Sequence, residues 1–268
     1  MNKLKFAGRF DCQLSENTDH TFAVSHALNI YGANAIYSYI PKNACSTLRL
    51  SLAVANGVVT DVPSQHNWIH QNNSSFVANL RELVSADYSF IVLRCPYRRI
   101  ASTFLDKFVS LSNLSVRFIE SQYVDFNILN MNFLRFLKNI KRQTDRNRDH
   151  HWKTQSAFWV FEEYSDVFSV ECFEEAANTL KNKKILDVVD ARLYTKHSVQ
   201  SSQSSHEECF SRTSIRVLNA MKQKSNLPQY ESMYCEEAKA LVEDIYKEDF
   251  DTYEKHLGQR YFLFERGQ

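Results

Sequence analysis

Two stretches of this chain run strand, turn, helix in the same order, and they constrain the fold more than any other feature. In the first, Ala35–Ile40 is a short apolar and aromatic run of the kind that forms a buried strand. Pro41-Lys-Asn-Ala-Cys-Ser-Thr47 reads as a turn, and Ser46–Asn56 as a helix with Leu48, Leu52 and Ala55 on one side and Gly57 as its stop. In the second, Tyr88–Leu93 is another buried-strand run that feeds Arg94-Cys-Pro-Tyr-Arg-Arg-Ile-Ala-Ser102. Pro96 suits the first helical position there, and Ile100, Phe104 and Phe108 follow as an i, i+4, i+8 stripe. Alternation of this kind predicts a three-layer α/β fold. Its central, mainly parallel sheet would be flanked by helices and bind ligands at the carboxyl ends of strands.

Five glycines in 268 residues, at positions 8, 32, 57, 258 and 267, exclude two common nucleotide-binding devices. Neither a GxGxxG fingerprint nor a GxxxxGK[ST] phosphate loop can be assembled from them, which argues against a kinase of the P-loop type. A net charge of +1 gives no global reason to expect a nucleic-acid partner, so any anion binding must be local. The six cysteines are scattered without a CxxC pair, as in reduced, cytoplasmic proteins. No window approaches the roughly 18 apolar residues of a membrane span, so a cytoplasmic chain with no integral membrane segment is expected. His206 and Cys209 have no second ligand pair, and a zinc site is not expected.

Elsewhere the pattern is less regular. Residues 58–75 read as a loop, Phe76–Val84 as a helix and 115–142 as helical, with an exposed charged connection over Lys141–His150. Strands are expected near Val167–Val170 and at Ile185–Val189, with a helix near Phe173–Leu180 between them. Thr195–Arg212 is a mobile-loop candidate, and helices over Ser214–Lys224 and Tyr234–Tyr253 close the chain. One domain over residues 1–268 accommodates these elements.

A strand, a turn bearing a lysine and hydroxyls, and a helix opening at that turn together suit an anionic group, because the first helical N–H groups are unpaired and carry the positive end of the dipole. Lys42 supplies charge to the first turn. In the second, Arg94 emerges from the strand end, while Arg99 and Ser102 share one helix face. Guanidinium and hydroxyl groups beside a helix N-terminus fit a phosphate.

These residues resemble a known family. Ile40-Pro-Lys-Asn-Ala-Cys-Ser-Thr47 is similar to the 5′-phosphosulfate loop of sulfotransferases, and Arg94-Cys-Pro-Tyr-Arg-Arg-Ile-Ala-Ser102 to their 3′-phosphate motif, R-x-P-x-x-R-x-x-S. Asp149-His-His-Trp-Lys-Thr-Gln155 and Tyr246-Lys-Glu-Asp-Phe-Asp-Thr-Tyr253 resemble two further segments of the carbohydrate sulfotransferases, the Golgi enzymes and their bacterial relatives. Cys95 stands where that pattern usually has an acid, and Thr154 where it has a proline. The resemblance implies a P-loop-like form of that fold and a metal-independent transferase that moves the sulfuryl group of 3′-phosphoadenosine 5′-phosphosulfate (PAPS) to a hydroxyl or amine, with a carbohydrate the expected acceptor. Residues 35–110 would bind PAPS, and 111–268 would supply helical and acceptor-side elements.

Pro41, Lys42, Asn43, Ala44, Cys45, Ser46 and Thr47 would hold the 5′-phosphosulfate, with Lys42 stabilising the leaving phosphate. Arg94 and Ser102, supported by Arg99, would hold the 3′-phosphate. The general base is expected to be a histidine, in the order His70, His151, His66, with a Glu or Asp as the alternative. A relative that binds the nucleotide without catalysis is the alternative. The basic group Lys138, Lys141, Arg142, Arg146 and Arg148 reads either as a solvated helix end or as a site for an acidic polysaccharide.

Overall fold

Four strands form one sheet in the order β1-β2-β3-β4. They are β1 (Ala27–Ile30), β2 (Ala35–Ser38), β3 (Tyr88–Leu93) and β4 (Asp166–Ser169). The hairpin β1/β2 is antiparallel, whereas β2/β3 and β3/β4 are parallel, with Ile36 opposite Ser89 and Val92 opposite Phe168. Every residue of β1, β2 and β3 is buried, the polar Asn29, Ser38 and Ser89 included, as expected of strands in a largely parallel sheet. The computed structural model describes residues 1–8, 12–72, 74–122, 127–194 and 208–265.

The chain divides into two compact units. The first comprises Met1–Arg94, Thr154–Lys196 and Tyr253–Gly258, and the second Cys95–Lys153, His197–Thr252 and Gln259–Gln268. The first unit contains the sheet together with α1 (Thr18–Val24), α2 (Cys45–Ala55), α3 (Val62–Gln65), α4 (Trp68–Gln71) and α5 (Leu80–Ser85). Helical in the second are α6 (Pro96–Thr103), α7 (Asn113–Gln122) and α8 (Phe133–Arg142). Later in the chain come α9 (Phe173–Asn182) in the first unit and α10 (Ile215–Gln223) and α11 (Glu236–Ile245) in the second. The last helix is α12 (Lys247–Leu257).

Each unit has its own core. In the first, Tyr37 stacks on Phe90 at 4.9 Å between ring centroids, beside Leu48, Leu50 and Leu52 of α2. Helix α2 is buried nearly all round from Leu48 to Ala53, while Ala55, expected on its inner face, is exposed. The second core is aromatic: Phe104, Phe108, Phe118, Phe133, Phe136 and Trp152 pack with α10 and α11 side chains. Burial of each such ring contributes about 1.5–3 kcal/mol. The Ile100, Phe104, Phe108 stripe is buried, but its backbone widens into a π-helical turn at Phe104–Phe108, closed by Val109 N–H to Phe104 O at 3.1 Å.

Several local expectations are corrected. No strand forms at Ile185–Val189, because α9 ends there in a Schellman motif. Lys184 is left-handed (φ 57°), its N–H bonds Lys181 O, and Ile185 N–H bonds Leu180 O. Those donors are no longer available to a ladder. The helix expected from Phe76 starts at Leu80, where Asn79 and Glu82 form a capping box; Phe76 and Ala78 instead bond backbone to backbone with Asn29 and Ala27. Residues 58–75 contain α3 and α4 rather than loop alone. The helical stretch 115–142 is broken where the side chain of Asn132 caps α8. The closing helix is interrupted at Tyr246, between α11 and α12. Of the expected mobile loop, 195–207 lies outside the described residues.

Candidate active site

In the first unit, the turn between β2 and α2 has two left-handed residues that are not glycine, Lys42 (φ 72°) and Ala44 (φ 56°). Ala44 is the N-cap of α2, and among the described residues no side chain caps that helix. Its first N–H groups, at Cys45, Ser46 and Thr47, therefore form an open anion-binding end of an 11-residue helix. Left-handed backbone costs an L-residue roughly 1–2 kcal/mol, so the surroundings must hold the turn in place.

Asn43, Arg94 and Gln155 do so. Gln155 donates from Nε2 to Arg94 O (2.9 Å) and accepts the Arg94 backbone N–H at Oε1 (3.0 Å), which fixes the orientation of its amide. Fully buried Asn43 then donates from Nδ2 to Gln155 Oε1 (2.6 Å) and to Val92 O (2.9 Å). Arg94 Nη1 donates to Lys42 O (2.9 Å), clamping the left-handed lysine from the end of β3. Pro41 is buried, and Lys42, Ala44, Cys45, Ser46 and Thr47 are half-buried. Sequence reasoning placed Gln155 in a motif without assigning it a role, since only the tertiary structure shows which backbone groups it meets.

In the second unit, α6 places Arg99 and Ser102 at 2 % and 5 % exposure. Arg99 donates from Nη1 to Lys153 O (2.6 Å) and from Nη2 to His150 O (3.2 Å), and Thr103 Oγ1 bonds His151 O (3.1 Å). Helix α6 thus pins the segment Asp149–Lys153, and Tyr246 Oη adds a bond to Trp152 O at 2.6 Å. Arg99 is deployed toward that turn.

The three histidine candidates differ sharply in setting. His66 Nδ1 lies 2.9 Å from Pro63 O, and its ring is loosely stacked with Tyr194 at 6.4 Å. His70 is exposed at the end of four-residue α4, whose Ile69 carbonyl accepts from Arg49. His151 Nδ1 lies 2.7 Å from Asp149 Oδ1, which also accepts the His151 backbone N–H at 2.9 Å. A carboxylate only accepts, so Nδ1 is assigned the proton and the neutral ring keeps its lone pair on Nε2. Burial pushes the Asp149 carboxyl up, but the two bonds from His151 and the nearby imidazoles outweigh it and leave the carboxyl below its ordinary value.

His150 is pushed down by the crowding of surrounding atoms first and then by the charge of His151. His150 is nonetheless exposed as a residue. Donor atoms of Asp149, His150 and His151 lie within 4.8 Å of one another. With Asp149 bound twice by His151, the group is arranged as an acid–base pair, in which an oriented imidazole can take a proton.

A family model described as "Sulfotransferase family" matches residues 32–256, which span both strand–turn–helix segments and the Asp149–His151 pair. No curated protein and no solved structure matches the chain.

Proposed function

The chain belongs to the sulfotransferase family, and we propose that it moves the sulfuryl group of PAPS to a hydroxyl of a carbohydrate acceptor on a three-layer, P-loop-like scaffold in the cytoplasm. The observation that carries this reading is the uncapped N-terminus of α2 behind the left-handed turn at Lys42 and Ala44. A strained turn held by Asn43, Arg94 and Gln155 is what a preorganised anion site requires.

In this reading the N–H groups of Cys45, Ser46 and Thr47 bind the 5′-phosphosulfate, and Lys42 meets the charge that builds on the phosphate as it leaves. Arg94 and Ser102 bind the 3′-phosphate, whereas Arg99 acts through the turn it holds. The hydrogen-bonded setting of His151 favours it as general base over His70 and His66. As the acceptor oxygen forms its bond to sulfur, the bond between sulfur and the 5′-phosphate oxygen breaks. His151 Nε2 takes the hydroxyl proton, Asp149 steadies the imidazolium, and adenosine 3′,5′-bisphosphate departs. Positioning and charge stabilisation carry most of such a reaction.

Calorimetry with adenosine 3′,5′-bisphosphate and transfer from labelled PAPS to a panel of sugars test the proposal. Lys42→Ala is expected to lower turnover roughly 10²–10³-fold with the fold retained. Absence of nucleotide binding at millimolar concentration sinks the reading, and binding without transfer to any acceptor identifies a non-catalytic relative.

A further inference from the structure

The second unit holds a cavity of ≈ 660 Å³ bounded by α7, the end of α8 and the turn that carries Asp149. That volume lies within the roughly 300–1,000 Å³ of small-molecule sites. Trp152 forms part of its wall, packed against Phe108, Phe118 and Phe136 at 5.9, 5.2 and 5.8 Å between ring centroids. Trp152 is 2 % exposed, and among the described residues its Nε1–H has no hydrogen-bond partner. Gln143, also on the wall, has a buried Oε1 with no partner among the described residues. A buried donor and a buried acceptor on two residues that line one cavity are costly unless something pairs with them, and a ligand hydroxyl, which both donates and accepts, matches the two.

Charge narrows the ligand further. Arg117, Arg142 and Arg148 line the cavity against the single carboxylate of Asp149. Arg148 is committed to Asp145 Oδ1 (3.1 Å) and to the carbonyls of Ile140 and Gln143. Lys138 and Lys141 nearby in sequence are paired with Glu237 and Asp244. Arg117 and Arg142 are exposed and remain the cations placed to meet an incoming anion.

We infer that this cavity holds the acceptor, and that the acceptor is a small polyhydroxylated molecule bearing a carboxylate or a phosphate. A hydroxyl accepts from the Trp152 indole and donates to Gln143 Oε1, while the anionic group meets Arg117 and Arg142. Asp149, on the same wall, holds His151 through Oδ1, which puts the proton-accepting pair beside the bound polyol. Naming the ligand an acceptor rests on the sulfuryl-transfer reading; the binding site itself does not.

The test is a titration of the full-length ¹⁵N-labelled chain with D-gluconate, with D-glucose 6-phosphate and, as the uncharged control, with D-glucose, following the indole N–H resonances. Trp68→Phe and Trp159→Phe identify the Trp152 signal by elimination, which avoids disturbing the aromatic core. A saturable shift of that signal is expected with one or both anions, at an affinity at least about tenfold above glucose. The carboxylate and phosphate arms show which anion is preferred. Arg117→Gln with Arg142→Gln, both at exposed positions, is expected to bring that preference within about twofold.

No saturable shift at about 10 mM of either anion overturns the inference. Equal affinity for glucose, or a preference that survives the double substitution, overturns it equally. The same sample titrated with adenosine 3′,5′-bisphosphate separates the two claims. Nucleotide binding without anion binding removes the cavity's role alone, whereas anion binding without nucleotide binding removes the acceptor role and the transferase reading.

Discussion

Asn43→Asp tests the turn most directly, because one atom changes from a donor to an acceptor at a fully buried position. Asn43 Nδ2 serves two acceptors, Gln155 Oε1 at 2.6 Å and Val92 O at 2.9 Å. Gln155 cannot turn its amide to compensate without losing both of its bonds to the Arg94 backbone. Gln155 Oε1 keeps the Arg94 N–H, so the bond lost there costs about 0.5–1.5 kcal/mol, and the bond lost at Val92 O about 1–3 kcal/mol, hence about 1.5–4.5 kcal/mol together. Burial against two oxygens also raises the introduced carboxyl's pKa in the folded state, and in its protonated form it recovers one donor.

The sign follows from that upward shift. The protonated carboxyl carries the recovered stability in full below its unfolded pKa of about 3.9, and loses about 1.4 kcal/mol per pH unit as pH rises toward the folded value. Asn43→Ala loses the same two bonds without acquiring a titrating group. Urea midpoints measured for both variants at about pH 5 and about pH 8 should therefore diverge, with the aspartate variant falling further at the higher pH. A midpoint for Asn43→Asp equal to that of the unaltered chain, or a pH response identical to Asn43→Ala, refutes the network that holds Lys42 and Ala44 in place.

Three further outcomes are expected. Asp149→Asn should lower kcat roughly 10²–10⁴-fold by releasing His151 from its orientation. Because the Asp149 carboxyl is held below its ordinary value when folded, its stabilising contribution is present above the unfolded pKa and is lost as pH falls through the folded one. The stability gap between this variant and the unaltered chain should close in acid, as denaturant titrations across pH will show. Ala44→Gly should stabilise the fold by about 0.5–1 kcal/mol, since relief of left-handed strain outweighs the added chain entropy; a lowered melting temperature contradicts the φ of 56°. Arg99→Ala should cost about 2–6 kcal/mol by stranding the carbonyls of His150 and Lys153, and a surface-like change below about 0.5 kcal/mol in the unfolding midpoint refutes its buried role.

The parts of the fold that were legible in the sequence are those in which local chemistry and tertiary demand agree. Tyr88–Leu93 forms the strand expected of a mostly apolar run interrupted only by Ser89, and Pro96 opens α6 as the missing N–H of a first helical position allows. Ile185–Val189 misled because a largely apolar run does not reveal where its backbone donors go; those of Ile185 and Leu186 close α9, and that of Val189 meets Ser51 Oγ. Ala55 misled because helical periodicity assumes one buried face, and α2 is enclosed nearly all round. Such enclosure depends on neighbours distant along the chain.

At the site the division is similar. From the sequence alone came the family-like motifs, the turn that carries Lys42 between strand and helix, and His151 among three candidate bases, because residue type and order suffice for these. Only the tertiary structure decided that Arg94 clamps Lys42, that Arg99 pins the Asp149–Lys153 turn, that Asp149 is bonded to His151, and that Trp152 keeps a buried N–H unpartnered among the described residues. The physical reason is that a hydrogen bond is set by direction and distance between atoms that folding brings together. Gln155 lies 61 residues from the Arg94 backbone it reads and 112 from Asn43. No spacing in the chain encodes that meeting; the buried groups' need for partners does.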